Sequence, residues 1–284
     1  MAKTQDIKRR IHSVKNTMQL TKAMKMVSAA KLRRSQERML ALRPYARRTL
    51  KVLRSLAARA DPELHPLLQT HGERRQEIVV LTADKGLCGA FNAGIIRTAE
   101  AFAKGQSQRE LSISTVGKKG SEYFGRRFEL KRRWTDVFRI VEFQTAKEIA
   151  TSLIDSYLAQ EVDAVHLVYN EFKSAIQARS IVQQLLPVEP AELKSGEPVD
   201  DYLYEPSARE IFDTLLPRYV NSQVYQAMLE SSAAEHAARM TAMEAATNNA
   251  GELIDSLTLT MNRVRQASIT TEIIEVVSGA EALG

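Results

Sequence analysis

Residues 207–283 read SAREIFDTLLPRYVNSQVYQAMLESSAAEHAARMTAMEAATNNAGELIDSLTLTMNRVRQASITTEIIEVVSGAEAL, and this stretch decides the fold. No proline follows Pro217, and Gly251 is the only glycine between it and Gly279. Ala, Met, Leu, Glu and Arg dominate, all good helix formers. Apolar and small residues recur on a heptad, with Met243, Ala250, Leu257 and Val264 on one row and Ile254 and Met261 on the next. A helix from Arg218 to Ser278 would run about 90 Å at roughly 1.5 Å per residue. A compact domain cannot bury a helix that long, so it requires a partner helix or an enclosing protein.

The N-terminus supplies a partner. From residue 3 to residue 42 one row holds Ile7, Val14, Thr21, Ser28, Ser35 and Leu42, and the other holds Ile11, Met18, Lys25, Leu32 and Met39. This is a coiled-coil seam with small or polar residues in its middle. Pro44 should kink the helix, which resumes through Tyr45 to Ala60 and ends at Asp61-Pro62. The charges fit the pairing. The net charge is +6 over the whole chain, yet residues 1–59 carry 17 Lys or Arg against Asp6 and Glu37, whereas from Ser207 onward there are 10 acids and 5 bases.

Between the two helices the pattern changes. Glu77–Ala83 (EIVVLTA), Leu111–Val116, a basic stretch near Phe128–Trp134, Ala164–Tyr169 (AVHLVY) and Ala175–Leu186 read as strands. Helices are expected over Phe91–Lys104 and Thr145–Gln160, with a short one after Gly117-Lys118-Lys119-Gly120. Alternating strand and helix predicts a small α/β layer with a mostly parallel sheet. Pro187, Pro190, Pro198 and Pro206 mark the loop before the last helix. The expected fold class is therefore α/β: a long antiparallel coiled coil of N- and C-terminal helices (1–60 and 207–284) plus a small α/β domain (61–206).

If both helices leave that domain together, facing residues obey i + j of about 264. Lys51 then faces Asp213, Arg33 and Arg34 face Glu230, and Arg9 and Arg10 face Asp255 and Glu252. Met1 aligns with Arg263, so the residues beyond it form an overhang. Ile269, Ile273, Ile274, Val276 and Val277 cover most of its circumference. An unpaired apolar tip implies a sleeve made by another protein.

The motifs point away from chemistry. Gly86-Leu87-Cys88-Gly89 lies between a strand and a helix, but lacks the GxGxxG and GxxxxGK[ST] spacings and reads as a plain turn. Gly117-Lys118-Lys119-Gly120 reads as a solvated turn. The single cysteine, Cys88, rules out an internal disulfide and reads as a small buried hydrophobe. His12, His65, His71, His166 and His236 show no metal-ligand spacing, and His166, inside an apolar strand, is structural. No catalytic, metal or cofactor site is expected. No secretion signal or membrane-spanning run is evident. The basic N-terminal face has an alternative reading as a nucleic-acid arm, against which Tyr45 is the only aromatic residue in 1–59. A dinucleotide-using enzyme is a third reading, disfavoured by the missing glycine spacing.

Four segments in order carry a family resemblance: IKRRIHSVKNTMQLTKAMKMVSAAKLRRSQ (7–36), LTADKGLCGAFN (81–92), DYLYEPS (201–207) and NRVRQASITTEIIEVVSGAEAL (262–283). Together they resemble the gamma subunit of rotary, F-type ATP synthases over the full length. The resemblance implies a Rossmann-like α/β domain and a central rotor shaft inside a ring of three alpha and three beta subunits. Such a shaft transmits torque from a proton-driven membrane c-ring and regulates ATPase activity and proton flow, while the nucleotide chemistry belongs to the ring. It implies that Arg265 and Gln266 contact a loop of one beta subunit, and that Met24 and Lys25 lie near an acid-rich beta loop. It places Tyr202, Tyr204 and Glu205 on the foot facing the epsilon subunit and the c-ring. Chloroplast members carry a cysteine pair in an inserted loop; this chain has neither, so thiol control is not expected. The implied location is peripheral, on the cytoplasmic face of a bacterial plasma (inner) membrane.

Overall fold

The computed structural model describes residues 2–57, 65–106, 108–174, 177–188 and 207–281. The elements in chain order are α1 (Ala2–Ala57), β1 (Arg75–Leu81), α2 (Phe91–Gly105), β2 (Glu110–Val116), α3 (Lys118–Phe124), β3 (Leu130–Trp134), α4 (Phe143–Leu158), β4 (Ala164–Phe172), β5 (Ala178–Leu186) and α5 (Ala208–Glu281). They fall into two compact units, one of Met1–Ser28 with Arg239–Gly284, the other of Ala29–Ala238.

Both long helices pass through a proline. α1 is unbroken across Pro44, and α5 starts at Ala208, one residue after the expected 207, and runs through Pro217. A proline costs a helix one backbone hydrogen bond, from its own position to the carbonyl four residues back. Those carbonyls belong to Leu40 and Asp213, both exposed, so water can take over the freed acceptors. The start of α5 is fixed by its own cap. The Ser207 hydroxyl accepts the Glu210 N–H at 3.2 Å and donates to Glu210 Oε1 at 3.1 Å, a close relative of the capping box. At the other end α5 continues past the expected Ser278, through Gly279 to Glu281.

In the first unit the heptad reading holds. Ile11 and Thr21 are buried, with Ile7, Val14, Met18 and Lys25 half-buried between exposed neighbours; Met243 and Ala250 are buried on α5. The helices run antiparallel: Thr21 Oγ1 bonds Thr247 Oγ1 at 2.8 Å, and Lys25 Nζ meets Glu244 Oε1 at 2.6 Å. The numbers of these pairs sum to 268 and 269, one helical turn away from the expected 264. Charge matching chose the wrong turn because a helix rich in bases finds acids in many registers. Small hydroxyl residues in the seam admit far fewer. Among the described residues the expected cross-helix ion pairs are not made: Arg33 bonds Glu37 at 3.0 Å and Arg9 lies 3.8 Å from Asp6 on their own helix, Glu230 takes the Gln226 amide at 2.9 Å, and Asp213 lies 3.5 Å from the His65 ring.

The second unit contains a five-stranded sheet of order β3-β2-β1-β4-β5. All pairings are parallel except β4 with β5. β1 is covered on both faces, which is why its apolar run is continuous. Ile78 and Val80 pack with Phe91, Ile95 and Phe124 on one side. Val79 and Leu81 pack on the other with Ile149, Leu153, Leu53 of α1, and Leu216 and Val220 of α5. A carboxylate is buried in the same layer. Glu77 is fully buried and accepts Arg132 at 2.8 and 2.9 Å and the Ser114 hydroxyl at 2.6 Å, with Lys131 3.5 Å away. These bonds hold the basic edge strand β3 to the sheet, since a buried charge persists only when paired. Ser35 Oγ and Ser232 Oγ, 3.2 Å apart and buried, continue the polar seam within this unit.

Candidate functional site

The residues singled out in the sequence lie at separate places. Met24 and Lys25 are half-buried on α1, and the Lys25 ammonium is engaged by Glu244 within the chain. Arg265 and Gln266 are exposed on α5; among the described residues no carboxylate lies within 4.0 Å of Arg265. Extrapolating the observed register aligns them with the first residues of α1 rather than beyond its end. Tyr202, Tyr204 and Glu205 lie outside the described residues.

The apolar tip is open to solvent. Ile269, Ile273, Ile274, Val276 and Val277 are between 49% and 72% exposed. Five β-branched apolar side chains within nine residues make a patch that water penalises at about 25 cal/mol per Å². The sequence reading missed further exposed apolar residues: Leu253 and Leu259 on α5, and Leu20, Met26 and Val27 on α1. A signal was present, because all five fall off the heptad rows. A large apolar residue off the seam is one the partner helix cannot cover.

The loop after β1 is not an open phosphate cradle. The DKGLCG loop brings the Asp84 carboxylate to the N–H groups of Lys118, Asp136 and Phe138, at 3.0, 2.9 and 3.1 Å. A negative charge already occupies the donors an anion would use. Asn92 Oδ1 accepts the Ala83 N–H at 2.9 Å, and Cys88 is buried with its sulfur 3.3 Å from the Asn92 amide. Gly117 is not in a free turn: it sits at φ 100 against the Thr82 carbonyl, and α3 begins at the next residue. Only glycine fits there.

Burial shifts several ionisable groups. Burial pushes His166 down to about 4, so its imidazole stays neutral, 4.9 Å from the Phe102 ring. Burial likewise lowers His65, with Asp213 opposing. Burial raises Glu230, only partly offset by hydrogen bonds from the Gln226 amide and the Phe172 backbone. Burial raises Asp163, but Arg75 at 2.7 Å and the N–H groups of Arg74 and Arg75 outweigh it and hold the carboxyl below its usual range. Among the described residues no cluster of His, Cys, Asp or Glu could hold a metal ion, and no helix is long and apolar enough to cross a membrane.

The profile of the family described as ATP synthase matches residues 3–283. The ATP synthase gamma chain of Geotalea uraniireducens is 47% identical over 285 residues, covering 100% of this chain and 99% of that one. The ATP synthase gamma chain of an Anaeromyxobacter species (strain Fw109-5) is 49% identical over 290 residues, covering 100% of both. Among solved structures, a chain of the central stalk and c-ring assembly of Tetrahymena thermophila mitochondrial ATP synthase aligns with TM-score 0.61 and 32% identity, over 80% of this chain and 99% of that one. A chain of the Euglena gracilis mitochondrial enzyme shares the fold at TM-score 0.69 and 18% identity, over 99% and 95%. With full-length identity near one half and the family profile spanning almost every residue, this chain belongs to the ATP synthase gamma chain family.

Proposed function

We propose that the chain is the non-catalytic rotor shaft of a proton-driven ATP synthase. It turns within three alpha and three beta subunits and is footed on the epsilon subunit and a c-ring. The observation that carries this reading, beside family membership, is the exposed apolar run at the end of α5. Such a surface is stable in water only inside a partner's sleeve. In this reading Arg265 and Gln266 contact one beta loop, Met24 and Lys25 lie near an acid-rich beta loop, and Tyr202, Tyr204 and Glu205 belong to the foot. In this reading segments 1–60 and 207–284 form the shaft and 61–206 the foot. An asymmetric helical pair cannot touch three identical subunits alike, so each beta subunit meets a different face. Unequal contact is what shifts a conformational equilibrium. The location that follows is peripheral, on the cytoplasmic face of a bacterial plasma membrane.

Nothing in the likenesses supports the nucleic-acid alternative. The test is affinity purification of the tagged chain from solubilised membranes. Alpha, beta, epsilon and c subunits should copurify, and vesicles depleted of this chain should lose ATP-driven proton pumping. Recovery without alpha and beta subunits would sink the reading.

A further inference from the structure

The clamp formed by Asp84 has a consequence for how force crosses the α/β unit. Oδ1 accepts the N–H groups of Lys118 (3.0 Å) and Asp136 (2.9 Å), and Oδ2 accepts that of Phe138 (3.1 Å). One half-buried carboxylate thus joins the loop after β1 to the start of α3 and to the segment 135–141 that follows β3. Asp136 sits at φ 61, in the left-handed region that a non-glycine residue keeps only when its surroundings hold it there. At its other end the segment meets α1. Arg38 Nη1 donates to the Val141 carbonyl at 2.8 Å. Phe138 and Val141 are buried in the same core as Leu53 of α1 and Leu229 of α5. Apolar packing is non-directional and does not by itself fix the position of a backbone segment. Hydrogen bonds to a charged group are directional and stronger. The path from Asp84 through residues 135–141 to Arg38 is a directional link between the carboxyl edge of the sheet and a long helix.

We propose that Asp84 is a positioning residue for torque transfer, holding residues 135–141 as a stiff strut between the sheet and α1. The inference rests on the rotor reading above. Loosening the strut leaves each part folded but lets the sheet yield under load before α1 turns.

The test uses membrane vesicles carrying the assembled complex with Asp84→Ala, Asp84→Asn or Arg38→Gln. ATP hydrolysis and ATP-driven proton pumping are measured together, with hydrogen exchange over residues 135–142. Asp84→Ala should speed that exchange and lower protons pumped per ATP at least threefold, with hydrolysis within twofold of the parent. Asp84→Asn should fall between, because its one oxygen can keep the Lys118 and Asp136 bonds but not the Phe138 bond. Arg38→Gln should act in the same direction without touching the clamp. An unchanged pumping ratio in Asp84→Ala overturns the inference. If that variant fails to assemble, an unchanged ratio in Arg38→Gln overturns it. Parent vesicles that hydrolyse ATP without pumping would overturn the rotor reading, and this inference with it.

Discussion

Reversing the charge at position 25 separates two roles for one lysine. Lys25 meets Glu244 at 2.6 Å, with side chains 38% and 50% exposed. Lys25→Glu removes that attraction and sets two carboxylates together. For a pair this exposed, the lost attraction is about 0.5 kcal/mol and the added repulsion is similar, so the helical pair loses about 1 kcal/mol. That is a small part of a domain's total stability of about 5–15 kcal/mol, so assembly should survive. If Lys25 also faces an acid-rich beta loop, the same reversal repels the partner, and proton pumping per ATP should fall several-fold. The double exchange Lys25→Glu with Glu244→Lys discriminates. It restores the pair within the chain but leaves the altered charge facing any partner. We expect it to recover thermal stability of the assembled complex to within a degree or two, while pumping stays depressed. Full recovery of pumping would refute the partner contact and reduce Lys25 to an internal brace.

Removing Ser278 to Gly284 should leave most ATP turnover, because this segment has little apolar bulk, whereas removal back through Ile269 should abolish the bearing; a flat response in turnover across the truncations contradicts a sleeve. Arg265→Ala with Gln266→Ala should preserve helix content and assembly but lower ATP turnover several-fold, since contacts made only in some rotary states shift their relative energies by about 1–3 kcal/mol; equal turnover removes these residues from the contact. The purified chain alone should aggregate at low salt, and a monodisperse monomer at high concentration would contradict an uncovered tip. Because the folded Asp163 carboxyl titrates below the ordinary aspartate value of 3.8, its contribution is fully present above that value and is lost as pH falls through the lower folded one. Asp163→Asn should therefore destabilise at neutral pH and flatten the acid limb below about pH 4, read as protease sensitivity near residues 73–76 after acid exposure; an unaltered acid limb would exclude this group.

Much of the architecture was legible because its periodicities are local. The rows through Ile7 and Ile11, and through Met243 and Ile254, specify a seam from side-chain spacing alone, and the buried or half-buried state of those rows agrees. The continuous apolar run at β1 and the strand-helix alternation likewise specify a parallel sheet covered on both faces. The tip was legible too, since apolar residues all round a helix cannot face a single partner. What depends on contacts between distant residues was not legible. Register was misread by a turn because exposed charges at low energy do not choose among matches, while the Thr21–Thr247 and Ser35–Ser232 pairs do. The continuity of α1 and α5 through Pro44 and Pro217 was not legible either, because the bonds the prolines remove fall at Leu40 and Asp213, which only the folded chain leaves exposed to water. Glu77 looked like an ordinary strand residue until the fold brought Arg132 to it, and Asp84 like a turn residue until three N–H groups converged on its carboxylate. Spacing along the chain encodes which faces must be covered; only the folded chain decides which polar groups meet, because hydrogen bonds act within about 3 Å and depend on direction.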